Sequence, residues 1–368
     1  MSKKKKAGKK KGLLAFFGIT ARVGMLIAAG LLMLSYFSII INPAQLWTVS
    51  LFGLLFVPLM ALNVFLVFWA LKRQSKSILI PLIAVLPAFF FIGRYFQIPG
   101  RQAESPEGEE DTIIKIVSYN VGRLAENSTS PEDRKRKLGE ITEFLHRENA
   151  DIICLQEFFC ESEKDIKGFL KSAFKGYDAE YYLFPGSKGC FGNVTLSKMG
   201  ALTKGAIKFD ESTNLAIYTD FVIGNDALRV YNCHFESYNI SLSGIVKSIW
   251  GNDQDYLKDT EHKMKKGITR RPKQVNQVLS HISGCPVDAV VCGDFNDNPM
   301  SYSYYRLSKG RKDTFREAGE GFGATYSHLW PLLRIDYILC PDRCKALSHR
   351  TPRIKYSDHY PVVSELAI

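Results

Sequence analysis

VVCGDFNDNP, residues 290–299, is the stretch on which the fold and the chemistry both turn. Val290, Val291 and Cys292 make a short apolar run, the pattern of a strand buried on both faces. The run gives way to Asn296, Asp297, Asn298 and Pro299, a turn signal that brings polar residues out where the strand leaves the core. Gly293 removes a side chain just before them and admits close approach of a ligand or another backbone. Two positions apart in extended chain, Asp294 and Asn296 share a side. One can ionise and accept a proton or hold a metal, while the other exchanges hydrogen bonds and stays neutral. Such a pair suits holding a water beside a phosphate. The same residues also describe an Asx-rich turn after a core strand, and their companions decide between the two.

Outward from this stretch, strand-like runs alternate with loops and a few helices. Strands are expected at 113–119, 152–158, 178–184, 193–198, 215–223, 228–235, 289–293, 334–339 and 361–366. Ser130, Pro131, Glu132 and Asp133 form a helix start, with Leu138, Ile141 and Leu145 as its apolar face. A second helix is expected over 258–282, broken near Gly267 or Pro272. Between 238 and 256, Leu242, Ile245, Val246, Ile249 and Trp250 fit one face of a short helix, either packed on the domain or serving as a lid or membrane-facing element. Many strands with few helices imply an α/β fold of two packed sheets with helices outside.

Several of these strands end in residues that are costly to bury: Asn120, Glu157, His234, Asp294 with Asn296, Asp336, and Asp358 with His359. Any one alone reads as a satisfied structural residue. Together they are better explained by one shared pocket at one end of the sandwich.

The segments YNVG (119–122), LQEF (155–158), NCHFES (232–237), GDFNDNP (293–299), RIDYI (334–338) and SDHYPV (357–362) occur in an order that resembles the endonuclease/exonuclease/phosphatase superfamily. Its members include apurinic endonucleases, secreted deoxyribonucleases, neutral sphingomyelinases and inositol-polyphosphate phosphatases. The likeness covers about residues 113–368. It implies a four-layered α/β sandwich, two mixed sheets flanked by helices, that hydrolyses phosphoesters with Mg²⁺, or Mn²⁺ in its place. By the same resemblance Glu157 is the principal metal ligand, with Asn120 beside it and Asp358 near the ion. Asp294 orients and deprotonates the attacking water with help from Asn296, and His359, oriented by Asp336, stabilises the phosphorane charge. His234 matches the histidine of the deoxyribonuclease and sphingomyelinase branches. Gly122 stands where apurinic endonucleases carry an acid, which argues against an abasic-site enzyme. Asn193 falls where the family often lines the pocket, whereas Arg270, Arg271 and Gln274 read best as a solvated helix face.

The net charge of +11 invites a nucleic-acid reading that its distribution does not support. Residues 1–101 hold thirteen Lys and Arg and no acid, so the remainder carries 11 − 13 = −2. The basic character belongs to the N-terminal third. There a lysine-rich head precedes three apolar stretches, about 23–41, 46–71 and 78–98, near the ~20 residues that a helix needs to cross a bilayer. The expected architecture is therefore a bundle of about three transmembrane helices (residues 1–98), an acidic linker (99–112) and a catalytic domain (113–368). Lysine-rich segments on the cytoplasmic side place that domain outside the cytoplasm if all three stretches cross, and inside it if the third is only re-entrant. All eight cysteines lie beyond the apolar third without zinc-site spacing. An extracytoplasmic setting permits disulfides, with 160–190 or 340–344 as pairs.

The leading expectation is a membrane-tethered, Mg²⁺-dependent phosphodiesterase or phosphatase acting on a lipid head group or other phosphoester. The alternatives are an extracytoplasmic nuclease and a catalytically silent domain on a membrane scaffold. No protein partner is expected.

Overall fold

The computed structural model describes residues 2–100, 112–122, 128, 130–186, 189–224, 226–238, 240, 242–251 and 253–368. Most of the expected linker lies outside these residues. The chain divides into two compact units, Met1–Gly93 with Met300–Tyr302, and Arg94–Pro299 with Ser303–Ile368.

The first unit is helical: α1 (Ser2–Phe37), α2 (Trp47–Leu54), α3 (Phe56–Lys72), α4 (Leu79–Val85) and α5 (Phe89–Ile92). Asn63 of α3, fully buried, donates to the Ala28 carbonyl of α1 at 3.0 Å and to its own helix at Leu59. The expectation of about three spans is corrected here. Among the described residues one helix, Gly18–Phe37, is long and apolar enough to cross a membrane. The count rises to two if α2 and α3, bent by 59°, are taken as one span. Pro58 explains that bend, because it cannot donate to the Leu54 carbonyl and its ring crowds that turn. The third apolar stretch is shorter still: a 3₁₀ turn, Leu86–Ala88, holding Pro87, separates α4 from α5. Residues 96 and 97 leave the helix altogether and form a strand.

In the second unit the strands are β1 (Phe96–Gln97), β2 (Ile113–Asn120), β3 (Ile152–Cys160), β4 (Asp178–Gly186), β5 (Gly189–Ser197), β6 (Thr203–Lys208), β7 (Leu215–Ile223), β8 (Asp226–His234), β9 (Asp288–Asp294), β10 (Arg311–Asp313), β11 (Gly321–Phe322), β12 (Asp336–Pro341), β13 (Lys345–Arg350) and β14 (Val362–Ala367). The helices are α6 (Pro131–Glu148), α7 (Glu163–Ala173), α8 (Leu242–Gly251), α9 (Gln254–Ser283), α10 (Tyr302–Ser308) and α11 (Thr314–Ala318). Among the described residues they include two six-stranded sheets, ordered β13-β14-β2-β3-β5-β4 and β10-β12-β9-β8-β7-β6. In each sheet one central pair is parallel, β2 with β3 and β8 with β9, and the other pairs are antiparallel.

Side-chain alternation builds the layers. On β2, Ile114 and Ile116 pack into a core shared with Val230, Val290, Cys292 and Ile338 of the opposite sheet. The intervening Val117 and Tyr119 pack outward with Ile141 and Leu145 of α6. On β8, β9 and β12 the outward set, Tyr231, Val291 and Tyr337, packs with Val275 and Val278 of α9. The result is helix, sheet, sheet, helix, with an apolar core between the sheets.

Two helical expectations change. The helix α9 runs unbroken through Gly267 and Pro272. The short helix at 242–251 forms, and Trp250 projects from it into solvent at 87 % exposure, so this tryptophan is not a packing residue. All eight cysteines are free thiols; Cys160 and Cys190 are cross-strand neighbours on β3 and β5.

Candidate active site

The alternation that fills the inter-sheet core with apolar residues continues to the strand ends, and there it turns polar. Counting in twos, Asn120 follows Ile116 and Ser118 on β2, and Gln156 follows Ile152 and Cys154 on β3. On the facing sheet His234 follows Val230 and Asn232, and Asp294 follows Val290 and Cys292. His234, Asp294 and Asp336 are direct neighbours across β8, β9 and β12. The polar groups thus converge at one end of the inter-sheet layer, beyond the carboxyl ends of both parallel pairs, where open α/β sheets place ligands.

Glu157 breaks the count. By parity it belongs on the helix side, but the register of β3 against β5 slips by one residue between Leu155 and Phe158. Glu157 takes a left-handed φ of 53° at this bulge. A non-glycine residue held there stores strain, and bulges re-aim side chains at functional sites. Here the carboxylate is brought to the inter-sheet side, where its Oε1 accepts from Asn120 Nδ2 at 3.3 Å and lies 3.4 Å from His234 Nε2.

Asp294 is the centre of the cluster and is almost fully buried. Its Oδ2 accepts from Asn120 Nδ2 at 2.8 Å and from Asn296 Nδ2 at 3.2 Å, and its Oδ1 accepts from the Asn296 backbone N–H at 2.8 Å. Asn296 therefore joins Asp294 through an Asx turn at φ 51°, not through the shared side of an extended strand as the sequence implied. Gly293 has a structural reason: at φ 129°, a Cβ would sit 1.9 Å from the Cys233 carbonyl. Removal from water pushes the Asp294 carboxyl up to about 6, with Asp336 adding to the shift and His359, His234 and Asn120 opposing it.

His359 Nδ1 lies 3.0 and 3.2 Å from the two oxygens of Asp336, and its Nε2 lies 3.8 Å from Asp294 Oδ2. Burial works against the charged imidazole, but Asp336 and Asp294 together outweigh it and hold the group well above its ordinary value. Asp336 is itself fixed, since its N–H donates to Thr325 Oγ1 at 3.0 Å. Ser357 Oγ lies 2.9 Å from the Asn120 carbonyl and 3.2 Å from Asp358 Oδ1, its one proton serving either acceptor. Gly122, at φ 59°, leaves the space that Asp358 Oδ1 uses: a Cβ there would approach it to 2.8 Å. The missing acid at 122 thus has a steric cause in this chain. Of the eight strand-end residues named from the sequence, seven are joined by these contacts, and Asp358 is tied to Asn120 through Ser357.

Several contributors were not expected. Tyr326 pairs its backbone with His359 and sets its ring against the imidazole at 5.4 Å, and nothing in its sequence context marks it. Beneath the site lies a buried amide network. Gln156 Nε2 donates to Asn232 Oδ1 at 2.8 Å, Asn232 Nδ2 donates to the Val194 carbonyl at 3.0 Å, and Asn193 Nδ2 donates to the Asn232 carbonyl at 3.0 Å. Asn193 is therefore fully buried as part of the seam between the sheets. The solvated reading of α9 is corrected for two residues. Arg271 is buried, donating from Nε to the Glu236 carbonyl at 2.7 Å and pairing with Asp297 at 3.0 Å, and Gln274 accepts from the Glu236 N–H at 2.8 Å.

Residues 117–359 match the model of the Endonuclease/Exonuclease/phosphatase family. The chain belongs to this family. Residues 15–95 match a domain of unknown function. A search of curated protein sequences finds no match. Among solved structures, the chain is similar to an endonuclease/exonuclease/phosphatase from Bacteroides vulgatus, with 17 % identity and a TM-score of 0.51 over 69 % of this chain and 98 % of that one. It is similar to a D. rerio TDP2 humanised by 14 mutations, with 17 % identity and a TM-score of 0.50 over 69 % and 98 % of the two chains. A functionally unknown conserved protein from Enterococcus faecalis V583 gives 17 % identity and a TM-score of 0.51 over 69 % and 99 %. At these identities the likeness establishes the fold. Members of the endonuclease/exonuclease/phosphatase family are typically divalent-metal-dependent phosphoesterases or nucleases.

Two places in this family member offer metal-binding chemistry. Asp294, Asp336 and His359 present ligand atoms within 4.8 Å of one another. Those atoms are already engaged: Asp294 by two asparagines, and His359 by Asp336. The second is the set that the resemblance names, Asn120, Glu157 and Asp358: Asn120 Nδ2 donates to Glu157 at 3.3 Å, Asn120 Oδ1 accepts from the Gly122 N–H at 2.9 Å, and Asp358 Oδ1 lies beside Gly122. All its donors are oxygens, which suits a hard divalent cation. Asn120 here turns its amide nitrogen to the carboxylates, tying Glu157 to Asp294, so metal contact through its oxygen requires the amide to rotate.

Proposed function

We propose that this chain is a membrane-tethered, divalent-metal-dependent phosphoester hydrolase. The observation that carries the reading is the pairing, in one pocket, of a buried carboxylate held by two asparagines with a carboxylate-backed imidazole 3.8 Å away. Both groups are shifted upward, which at neutral pH leaves one able to accept a proton and the other able to donate one. Asp294, at about 6, is ionised at neutral pH and can take a proton from water. His359, held above its usual value, is charged and can donate from Nε2 to a phosphoryl oxygen as negative charge grows there. Asp336 keeps the Nδ1 proton in place and fixes the ring. His234, beside both Glu157 and Asp294, adds a second nitrogen donor to the same wall.

Glu157 and Asp358 would hold Mg²⁺ or Mn²⁺, with Asn120 adding a neutral oxygen after its amide turns. A bound divalent ion supplies Lewis acidity toward a phosphoryl oxygen. The reading of a silent scaffold domain finds no support here, because each titrating group has its partner in place.

Membrane tethering is supported by Gly18–Phe37 and by the outward apolar side chains of the helical unit. Leu26, Ile27, Phe65, Phe68, Phe89 and Phe90 all face out, more than a soluble surface usually tolerates. With the lysine-rich head inside and Gly18–Phe37 as the crossing, the catalytic unit lies outside the cytoplasm. A near-neutral catalytic unit favours a phospholipid head group or small phosphoester over nucleic acid.

The test compares hydrolysis of a bis-aryl phosphodiester and a mono-aryl phosphate by the purified full chain, with EDTA and after Mg²⁺ is restored. Metal-dependent turnover of either supports the reading, and turnover of neither under any metal condition overturns it.

A further inference from the structure

The catalytic unit carries an exposed apolar face that the proposed chemistry does not use. β1 pairs with β11, so Phe96 and Phe322 are cross-strand neighbours, their rings 5.1 Å apart edge to face. Phe322 in turn meets Trp330 at 6.0 Å, and the Arg353 guanidinium lies 4.2 Å over the Trp330 ring. Strand alternation explains the outward set. Tyr95 is buried with its carbonyl accepting from Gly323, while Phe96 and Ile98 point out, Ile98 at 75 % exposure and Phe322 at 46 %. Leu332 adds a further exposed aliphatic side chain. The three aromatic rings are contiguous, and the exposed Ile98 and Leu332 each stand two residues along the chain from one of them, where a soluble enzyme normally shows single apolar side chains.

Three observations say what covers it. First, Phe96 stands four residues after Ile92, where the apolar helical segment ends, so the patch opens the first stretch of chain after that segment. Secondly, its chemistry is interfacial: tryptophan and phenylalanine with an arginine lying along the indole, an apolar body with a charged tip, and Lys355 also exposed nearby in sequence. Thirdly, the loop that carries Trp330 and Leu332 also builds the site. Ser327 N–H donates to the Asp358 carbonyl at 2.8 Å, and Tyr326 packs on His359.

We propose that Phe96, Ile98, Phe322, Trp330 and Leu332 form the surface by which the catalytic unit seats on a lipid bilayer, bringing the wall of its site to phosphoester head groups. This rests on the membrane reading above and sharpens it to substrates borne in the bilayer. A single-stranded nucleic acid would also stack on aromatics, but it needs a basic track, and residues 102–368 carry a net charge of −2.

The full chain would be reconstituted into vesicles of phosphatidylcholine with a minority of phosphatidylglycerol, with and without brominated acyl chains. Tryptophan emission would be compared for the native chain, Trp330→Phe and Trp250→Phe. If Trp330 lies in lipid, Trp330→Phe removes part of the bromine-quenched signal. If Trp330 faces water, the quenched signal is unchanged and the proposal fails. A second readout uses Phe322→Ser with Trp330→Ser, checked for an unchanged melting temperature. The apparent KM for vesicle-borne phosphoester should rise roughly tenfold or more, since each aromatic kept in water forfeits at least that factor, while a soluble bis-aryl phosphodiester is turned over as before. Equal losses on both substrates overturn the proposal. Quenching of Trp330 by an oligonucleotide but not by brominated lipid also overturns it, in favour of nucleic acid. Extraction of the native chain by alkaline carbonate tests the anchor separately: release refutes the anchor, and bromine quenching still decides the patch.

Discussion

Asp294 and His359 differ from their neighbours in what burial does to them. One carboxylate, wrapped by Asn120 and Asn296, is lifted to about 6, while the imidazole beside it is kept charged by two carboxylates. If Asp294 works as base and His359 as acid, turnover should rise with pH through about 6, as Asp294 ionises, and fall on the alkaline side as His359 loses its proton. A profile flat between pH 5 and 7, where the base should titrate, would remove Asp294 from that role. Asp294→Asn and His359→Ala should each lower kcat by on the order of 10²-fold or more with the melting temperature retained. Near-native turnover in either variant would sink the assignment. The types and order of these residues were legible in the sequence, because a buried strand that ends in Asp, Glu or His leaves a visible break in an apolar run. The left-handed turn at Glu157 was not. Sequence periodicity places position 157 on the wrong face, and only the slipped register against β5 corrects it.

Among the elements, β12 shows how the site is anchored from below. Arg334, just before Asp336, is buried and forms a two-pronged ion pair with Asp313 on β10, 3.0 and 2.6 Å. Burial alone would raise the Asp313 carboxyl, but Arg334 and Tyr304 more than reverse it and hold it below the usual range. Its folded pKa is thus depressed, so the pair stabilises the fold above the ordinary aspartate range and is lost as pH falls through the lowered value. Asp313→Asn should cost about 3–5 kcal/mol, because a buried guanidinium is left without its counter-charge. A shift in urea midpoint equivalent to less than about 1 kcal/mol, the range of an exposed pair, would show that the pair contributes little. The α9 helix tells a similar story. Its Arg271 looked solvated because a run of Lys and Arg hides which residue points inward, yet it ties the turn after Asp294 to the loop after His234. Charge type alone cannot reveal that direction.

For the whole molecule, the two-sheet layering and the gathering of polar strand ends could be anticipated because period-two alternation and strand-end polarity are local signals, whereas the strand order, which depends on non-local pairing, could not. The membrane segment could not be counted that way. Apolar length says how far a helix could run, whereas Pro58 and Pro87 decide how far it does. If Gly18–Phe37 is the single crossing proposed above, Ile368 lies outside the cytoplasm, so an alkaline phosphatase fused after Ile368 should be active and a fluorescent protein that matures only in the cytoplasm should stay dark. The reverse pattern would indicate a second crossing through α2 and α3.

On the proposed mechanism the pocket has a metal-holding side at Glu157 and Asp358 and a proton-transferring side at Asp294 and His359. Titration calorimetry of Mg²⁺ into the native chain, Glu157→Gln and Asp294→Asn, with turnover measured on the same samples, separates the two sides directly. Both variants should lose turnover, Glu157→Gln should also lose metal binding, and Asp294→Asn should keep it. Metal binding that survives in Glu157→Gln and disappears in Asp294→Asn would contradict this mechanism.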